Sequence, residues 1–200
     1  MCAKAYSLLR AILHTAVDDG ILDRNPCRIR GAGESHPAER PVLTIEQVIE
    51  LSERMPDRFR ALIPTATFAS LRWGEVSALH RCDMDLVDRA ITVRAAFVER
   101  SNGALELGPP KSRASVRTVV IPEFVAEALA DHLQAYAEAG PEALVFTSVT
   151  GRPIRRTGLN KALRWEAAVA AVGVPQLHFH DLRHLVTPWR LVRRARPRGI

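Results

Sequence analysis

The chain has 200 residues, 47% of them hydrophobic and 25% charged, enough to bury a core of its own without disulfide staples. No apolar run nears the roughly 18 residues that would span a bilayer, and three widely spaced cysteines, Cys2, Cys27 and Cys82, offer neither a disulfide framework nor a zinc module. The formal charge of +6 is arginine-heavy, with only three lysines, Lys4, Lys111 and Lys161, and this excess points to a phosphate-bearing partner.

In chain order, Leu8, Leu9, Ile12, Leu13 and Ala16 recur at helical spacing from Tyr6 to Asp19, and Gly20 follows as a stop. Arg10, His14 and Asp18 interrupt this apolar stretch, so it does not read as a secretory signal. One helix has nothing to pack against within residues 1–30, which reads as a stray element or the last helix of a larger domain. Gly, Pro and charge then dominate RIRGAGESHPAERP, from Arg28 to Pro41, and mark a linker, with domain boundaries set at 1–30, 31–40 and 41–184. Thr44 and Gln47 are placed as a capping box ahead of Val48, Ile49 and Leu51. A helix is expected over Phe59–Ala69 and a shorter one over Arg72–Leu79.

The period then changes from helical to alternating. Ile91, Val93, Ala95 and Phe97 form one candidate strand, and Val116, Thr118 and Val120 another, joined by a polar stretch that holds Lys111. Helical spacing returns at Phe124–Leu133 and from Leu159 through Trp165 to Val169, with a turn at Thr150–Pro153 between. The expected class is mainly α with a small antiparallel β-sheet, α+β. Residues 185–200 depart from all of this. They hold five arginines, two prolines and no acid, so residues 1–184 carry only +1.

Four basic stretches could carry chemistry, and each has a plainer alternative. In Leu71-Arg72-Trp73-Gly74-Glu75, Arg72 opens a helix, and taken alone the stretch reads first as a surface pair with Glu75 at i,i+3. Lys111, with Arg113 and Arg117, sits on the link between two strands, either turned into a cleft or solvated. His180 and Arg183 share one face of a helical turn, although HxxR alone is no signal at this arginine frequency. Arg152, Arg155 and Arg156 form a basic loop that faces water or a DNA backbone.

Together and in this order, LRWGE, PPKSRASVRTVVIP and LHFHDLRH resemble the tyrosine recombinase, or phage-type integrase, family. The resemblance covers residues 41–184 as the catalytic domain, and residues 6–19 with DDGILDRNP look like the end of the family's core-binding domain. It implies double-stranded DNA as partner, transesterification through a phosphotyrosine, no cofactor and no metal. Arg72 and Arg183 would clamp the phosphate, Lys111 would protonate the leaving 5′ oxygen, His180 would act as acid, base or hydrogen-bond donor, and Glu75 would orient Arg72. Arg113, Arg117, Arg152, Arg155 and Arg156 would contact DNA. The chemistry suits these residue types: guanidiniums grip non-bridging oxygens bidentately, and a lysine crowded by cations gives up a proton more readily.

The family places a further His or Trp, then its nucleophilic Tyr, beyond the HxxR box. This chain has only Tyr6 and Tyr136, and Trp189 follows Arg183 too closely to match. The expectation is therefore a recombinase fragment, cut at both ends, that binds DNA in the cytoplasm without cleaving it in cis. A reading-frame shift after His184 would produce the Arg/Pro-rich tail. A non-catalytic DNA-binding module, an unstable pseudogene product and a Tyr supplied in trans by protomers of an intact recombinase stay open as alternatives.

Overall fold

The computed structural model describes residues 2–34, 41–109 and 116–184, which divide between a unit within residues 1–39 and a larger one within 40–200. In the first, α1 (Cys2–Asp18) ends where Ile21 N–H returns to Ala16 O at 2.8 Å, with Gly20 at φ 72°. The following segment folds back onto the helix. Asn25 Nδ2 donates to Arg10 O at 2.8 Å, the Tyr6 hydroxyl accepts from Ile29 N–H at 2.7 Å, and Ser7 Oγ donates to Gly33 O at 3.3 Å. Yet α1 buries none of its residues, and Leu8, Leu9 and Ile12 stay 49–63% exposed. Its apolar stripe, legible in the sequence, is left without a partner inside this unit.

The larger unit opens with the expected capping box. Thr44 Oγ1 accepts from Gln47 N–H at 3.2 Å and Gln47 Oε1 accepts from Thr44 N–H at 3.0 Å, starting α2 (Ile45–Glu53), which turns Val48 and Leu51 inward. The single helix expected over Phe59–Ala69 is divided: a 3₁₀ turn at Asp57–Phe59, then α3 (Leu62–Phe68). Pro64 is the cause. A helix running through from Phe59 would need a Pro64 N–H for the Arg60 carbonyl, and that carbonyl instead accepts from Ser52 Oγ at 2.8 Å. In the first turn of α3 the missing N–H costs nothing.

At its other end α3 closes in a Schellman turn, with Leu71 N–H on Ala66 O at 3.0 Å, Ser70 N–H on Thr67 O at 3.1 Å, and Ser70 itself left-handed at φ 51°. That turn buries Leu71 and delivers Arg72 as the residue capping α4 (Trp73–Val76).

Two small antiparallel sheets follow, where one was expected. The first contains β1 (Met84–Asp85), β2 (Ala90–Val93) and β5 (Arg117–Val120) in the order β1-β2-β5, with Val93 opposite Arg117. The second is a ribbon of β3 (Ala96–Glu99) and β4 (Leu105–Gly108). The alternation from Ile91 to Phe97 is thus two strands. Ile91 and Val93 face the core, and the chain then leaves the first sheet at Arg94, whose Nε ion-pairs with the buried Asp83. Strand β4 lies in the stretch expected as a polar link; its alternation is only Leu105-Glu106-Leu107, and Leu107 is solvent-facing. The Asn102-Gly103 pair was its signal: Gly103 is left-handed at φ 79° and Asn102 Oδ1 accepts from Ala104 N–H at 2.9 Å.

Helix α5 (Glu123–Tyr136) packs Val125, Leu129 and Leu133 into the core. A strap then runs back along residues 79–82, with Val145 N–H on Leu79 O at 2.8 Å, and buries Val145 and Phe146. The helix expected over Leu159–Val169 is two, α6 (Leu159–Leu163) and α7 (Trp165–Ala171), broken by Arg164 at φ 52°. On a continuous helix Leu163 and Trp165 would point about 200° apart, whereas here both are buried. The break lets both sides of the pattern reach one core. A 3₁₀ segment, Phe179–His184, ends the described chain. Among the described residues no helix is long and apolar enough to cross a membrane.

Candidate functional site

Glu75 is the centre of the site. Its side chain is 2% exposed, a costly position for a carboxylate unless it is paired. Oε2 accepts the Arg72 main-chain N–H and Arg117 Nη2, both at 2.9 Å, while Oε1 accepts Arg72 Nη1 at 2.9 Å and Arg117 Nη1 at 3.4 Å. Burial pushes the Glu75 carboxyl up, but the Arg117 guanidinium and the Arg72 donors together outweigh it and hold the group below the usual carboxylate range. The i,i+3 pair anticipated on the surface is instead half of a buried-centred cluster of two guanidiniums and one carboxylate, with one positive charge in surplus. The Arg72 side chain remains 43% exposed and that of Arg117 22%.

Helix α4 can occupy this position because residue 74 is glycine. The main chain of Phe97 in β3 lies directly over it, and a Cβ there would sit inside van der Waals contact with the Phe97 carbonyl oxygen. The β3–β4 ribbon is thereby seated on the helix that carries Arg72.

The HxxR segment lies nearby through its aromatic neighbours. Trp73 meets Phe179 edge to face with ring centroids 5.2 Å apart, and Phe179 in turn contacts Trp165 at 5.8 Å. Trp165 is fixed by its indole N–H, which donates to Leu177 O at 2.9 Å. Asp181 and Leu182 are buried, Asp181 accepting from His178 N–H at 2.9 Å, while His180 is exposed and Arg183 half-buried. Asp181 and Leu182 take the inward positions between His180 and Arg183. Trp73, Trp165, Phe179, His178, His180 and Arg156 line a recess of about 260 Å³ beside them.

Among the remaining candidates, Arg152, Arg155 and Arg156 are exposed. Arg155 donates to Gly103 O and approaches Glu99 at 3.6 Å, so it ties the loop to the β3–β4 ribbon. Lys111 and Arg113 lie outside the described residues. Tyr136 has a packing role: its ring lies 5.5 Å from that of His132 and under the Arg58 guanidinium at 5.0 Å. Among the described residues no three His, Cys, Asp or Glu side chains gather as a metal ion would require. The tie between Arg117 and Glu75 is not legible in the sequence, because 42 residues separate them and Arg117 is placed by its strand pairing with β2.

Residues 41–194 match the model of the phage integrase family. A prophage phiRv2 integrase from Mycobacterium tuberculosis is 38% identical over 187 residues, which are 92% of this chain and 49% of that protein. The integrase of Mycobacterium phage FRAT1 is 31% identical, over 90% of this chain and 54% of its own length. The chain thus spans about half the length of these curated relatives. Among solved structures, the Tn1549 transposon integrase in complex with a circular intermediate DNA superposes with a TM-score of 0.76 at 17% identity, covering 97% of this chain and 67% of that one. The XerA recombinase superposes at 0.58 and 19% identity, over 94% and 61%. The fold is that of tyrosine recombinase catalytic domains, and the chain belongs to the phage integrase family.

Proposed function

We propose that residues 41–184 bind duplex DNA by its backbone, gripping one phosphate between the Arg72 and Arg183 guanidiniums with His180 as a hydrogen-bond donor. The observation that carries this reading is the Glu75-centred cluster. It holds Arg72 at the surface with a net positive charge in a unit that is otherwise almost neutral. Glu75 orients Arg72, Lys111 would protonate a leaving 5′ oxygen where an intact protomer supplies the Tyr, and Arg113, Arg152, Arg155 and Arg156 supply further backbone contacts. The setting is the cytoplasm, with DNA and protomers of a complete recombinase as partners.

Tyr136, the tyrosine within residues 41–184, packs against His132 and the Arg58 guanidinium, so on this reading those residues bind DNA without forming a phosphotyrosine bond of their own. A nicked suicide duplex tests that part: the isolated chain gives no covalent adduct on a denaturing gel, and an adduct would overturn it. Gel shifts test the binding. They should be salt-sensitive and weaken on Arg72→Ala, Lys111→Ala or Arg183→Ala, whereas binding indifferent to all three would move the affinity to the tail.

A further inference from the structure

We propose that Arg117 is a positioning residue that acts through Arg72, by way of Glu75, rather than by its own hold on DNA; this rests on the reading of Arg72 as a phosphate ligand. Three observations carry it. The Arg117 fork lies across both oxygens of Glu75, the same two oxygens that receive the Arg72 guanidinium and the Arg72 main-chain N–H. Its Nη2 also reaches Ser70 O at 3.4 Å, in the turn that delivers Arg72. Its side chain is the less exposed of the two, 22% against 43%.

The consequence is electrostatic as well as geometric. Glu75 alone with Arg72 would form a neutral pair, and the guanidinium would be turned toward the carboxylate with little attraction left for an anion. Arg117 shares the carboxylate, restores the surplus charge, and stops Glu75 from rotating away from the Arg72 main-chain N–H. Strand pairing holds Arg117 opposite Val93, so its fork arrives from a rigid sheet rather than from a loop. A lysine at 117 would keep the charge but could not span both oxygens.

The test is a double-mutant cycle on the full chain, with Arg117→Lys and Arg72→Ala, read as equilibrium binding of a fluorescein-labelled DNA duplex of mixed sequence. Arg117→Ala serves as a second variant, and thermal unfolding verifies folding of each protein. Arg117→Lys is expected to weaken binding by about three- to tenfold in the parent and by less than about twofold in the Arg72→Ala background. An equal loss in both backgrounds would overturn the proposal and leave the phosphate reading of Arg72 intact. No loss in the parent would also overturn it. If Arg72→Ala itself leaves affinity unchanged, the phosphate reading fails and this proposal fails with it.

Discussion

Replacing Gly74 by alanine tests whether α4 and the β3–β4 ribbon are locked together. The Cβ would fall more than about half an ångström inside the 3.0 Å that real Cβ atoms keep from their neighbours, and the obstructing atom is the Phe97 backbone carbonyl oxygen. No side chain can swing aside to relieve it. Either the ribbon lifts, against its pairing of Phe97 with Leu107, or α4 shifts, against the buried Leu71, Glu75 and Val76 that anchor it. Overpacking of this kind costs about 1–3 kcal/mol, offset by the 0.5–1 kcal/mol or so that alanine gains over glycine in a helix. Because the obstructing atom is backbone, the upper part of that cost, about 2–3 kcal/mol, applies, and the net expectation is a loss of roughly 1–2.5 kcal/mol, a fall of about 2–10 °C in Tm for a chain of this size. DNA affinity should fall too, since Arg72 lies two residues away and depends on the register of Glu75. Gly108→Ala is the control, because a Cβ there meets nothing within 4 Å. Thermal unfolding and fluorescence anisotropy decide the matter. A Gly74→Ala protein as stable as the parent and with the same DNA affinity would refute the argument.

Ser70→Gly should stabilise the protein by about 1 kcal/mol in a urea melt, because glycine adopts the φ of 51° without the Cβ penalty. Glu75→Gln should cost about 1–3 kcal/mol in the same assay, since an amide cannot replace a buried carboxylate facing two guanidiniums; unchanged stability would contradict the cluster. His132 is buried, with Nε2 2.8 Å from Val145 O, and burial above all, opposed by that carbonyl and reinforced by Arg58, lowers its pKa from 6.5. The neutral form is therefore the folded form. Its stabilisation is present above pH 6.5 and declines as pH falls below it toward the lowered value, where the unfolded chain binds the proton first. Tm measured from pH 8 to 5 should show that decline, and His132→Phe should flatten it.

How much was legible depended on whether the deciding interaction was local. The Thr44–Gln47 capping box, α1, α5 and the α+β class follow from residues within a turn or two of one another, and periodicity alone revealed them. The divided helices needed more. Pro64 lies inside the single helix expected over Phe59–Ala69 and divides it locally, whereas the left-handed Arg164 is imposed by tertiary packing of Leu163 and Trp165 on one core. Strand β4 shows only a weak apolar pattern, and Asn102-Gly103 is the local turn signal of its hairpin. In the site, Arg72 and Glu75 could be paired from their spacing, whereas Arg117, the Gly74–Phe97 contact and the Trp73–Phe179 edge are products of strand pairing and helix packing. Chain-wide charge misled: five of the six net positive charges fall in residues 185–200, and what carries the DNA reading is the placement of a few arginines in a nearly neutral unit.

The central claim is that Arg72 and Arg183 hold a DNA phosphate. Equilibrium binding of a labelled duplex across a range of salt concentrations measures this most directly, because each phosphate contact adds about 0.9 to the slope of log Kobs against log salt. Arg72→Ala and Arg183→Ala should each weaken binding and flatten that slope by about one. Slopes identical to that of the parent in both variants would contradict the account.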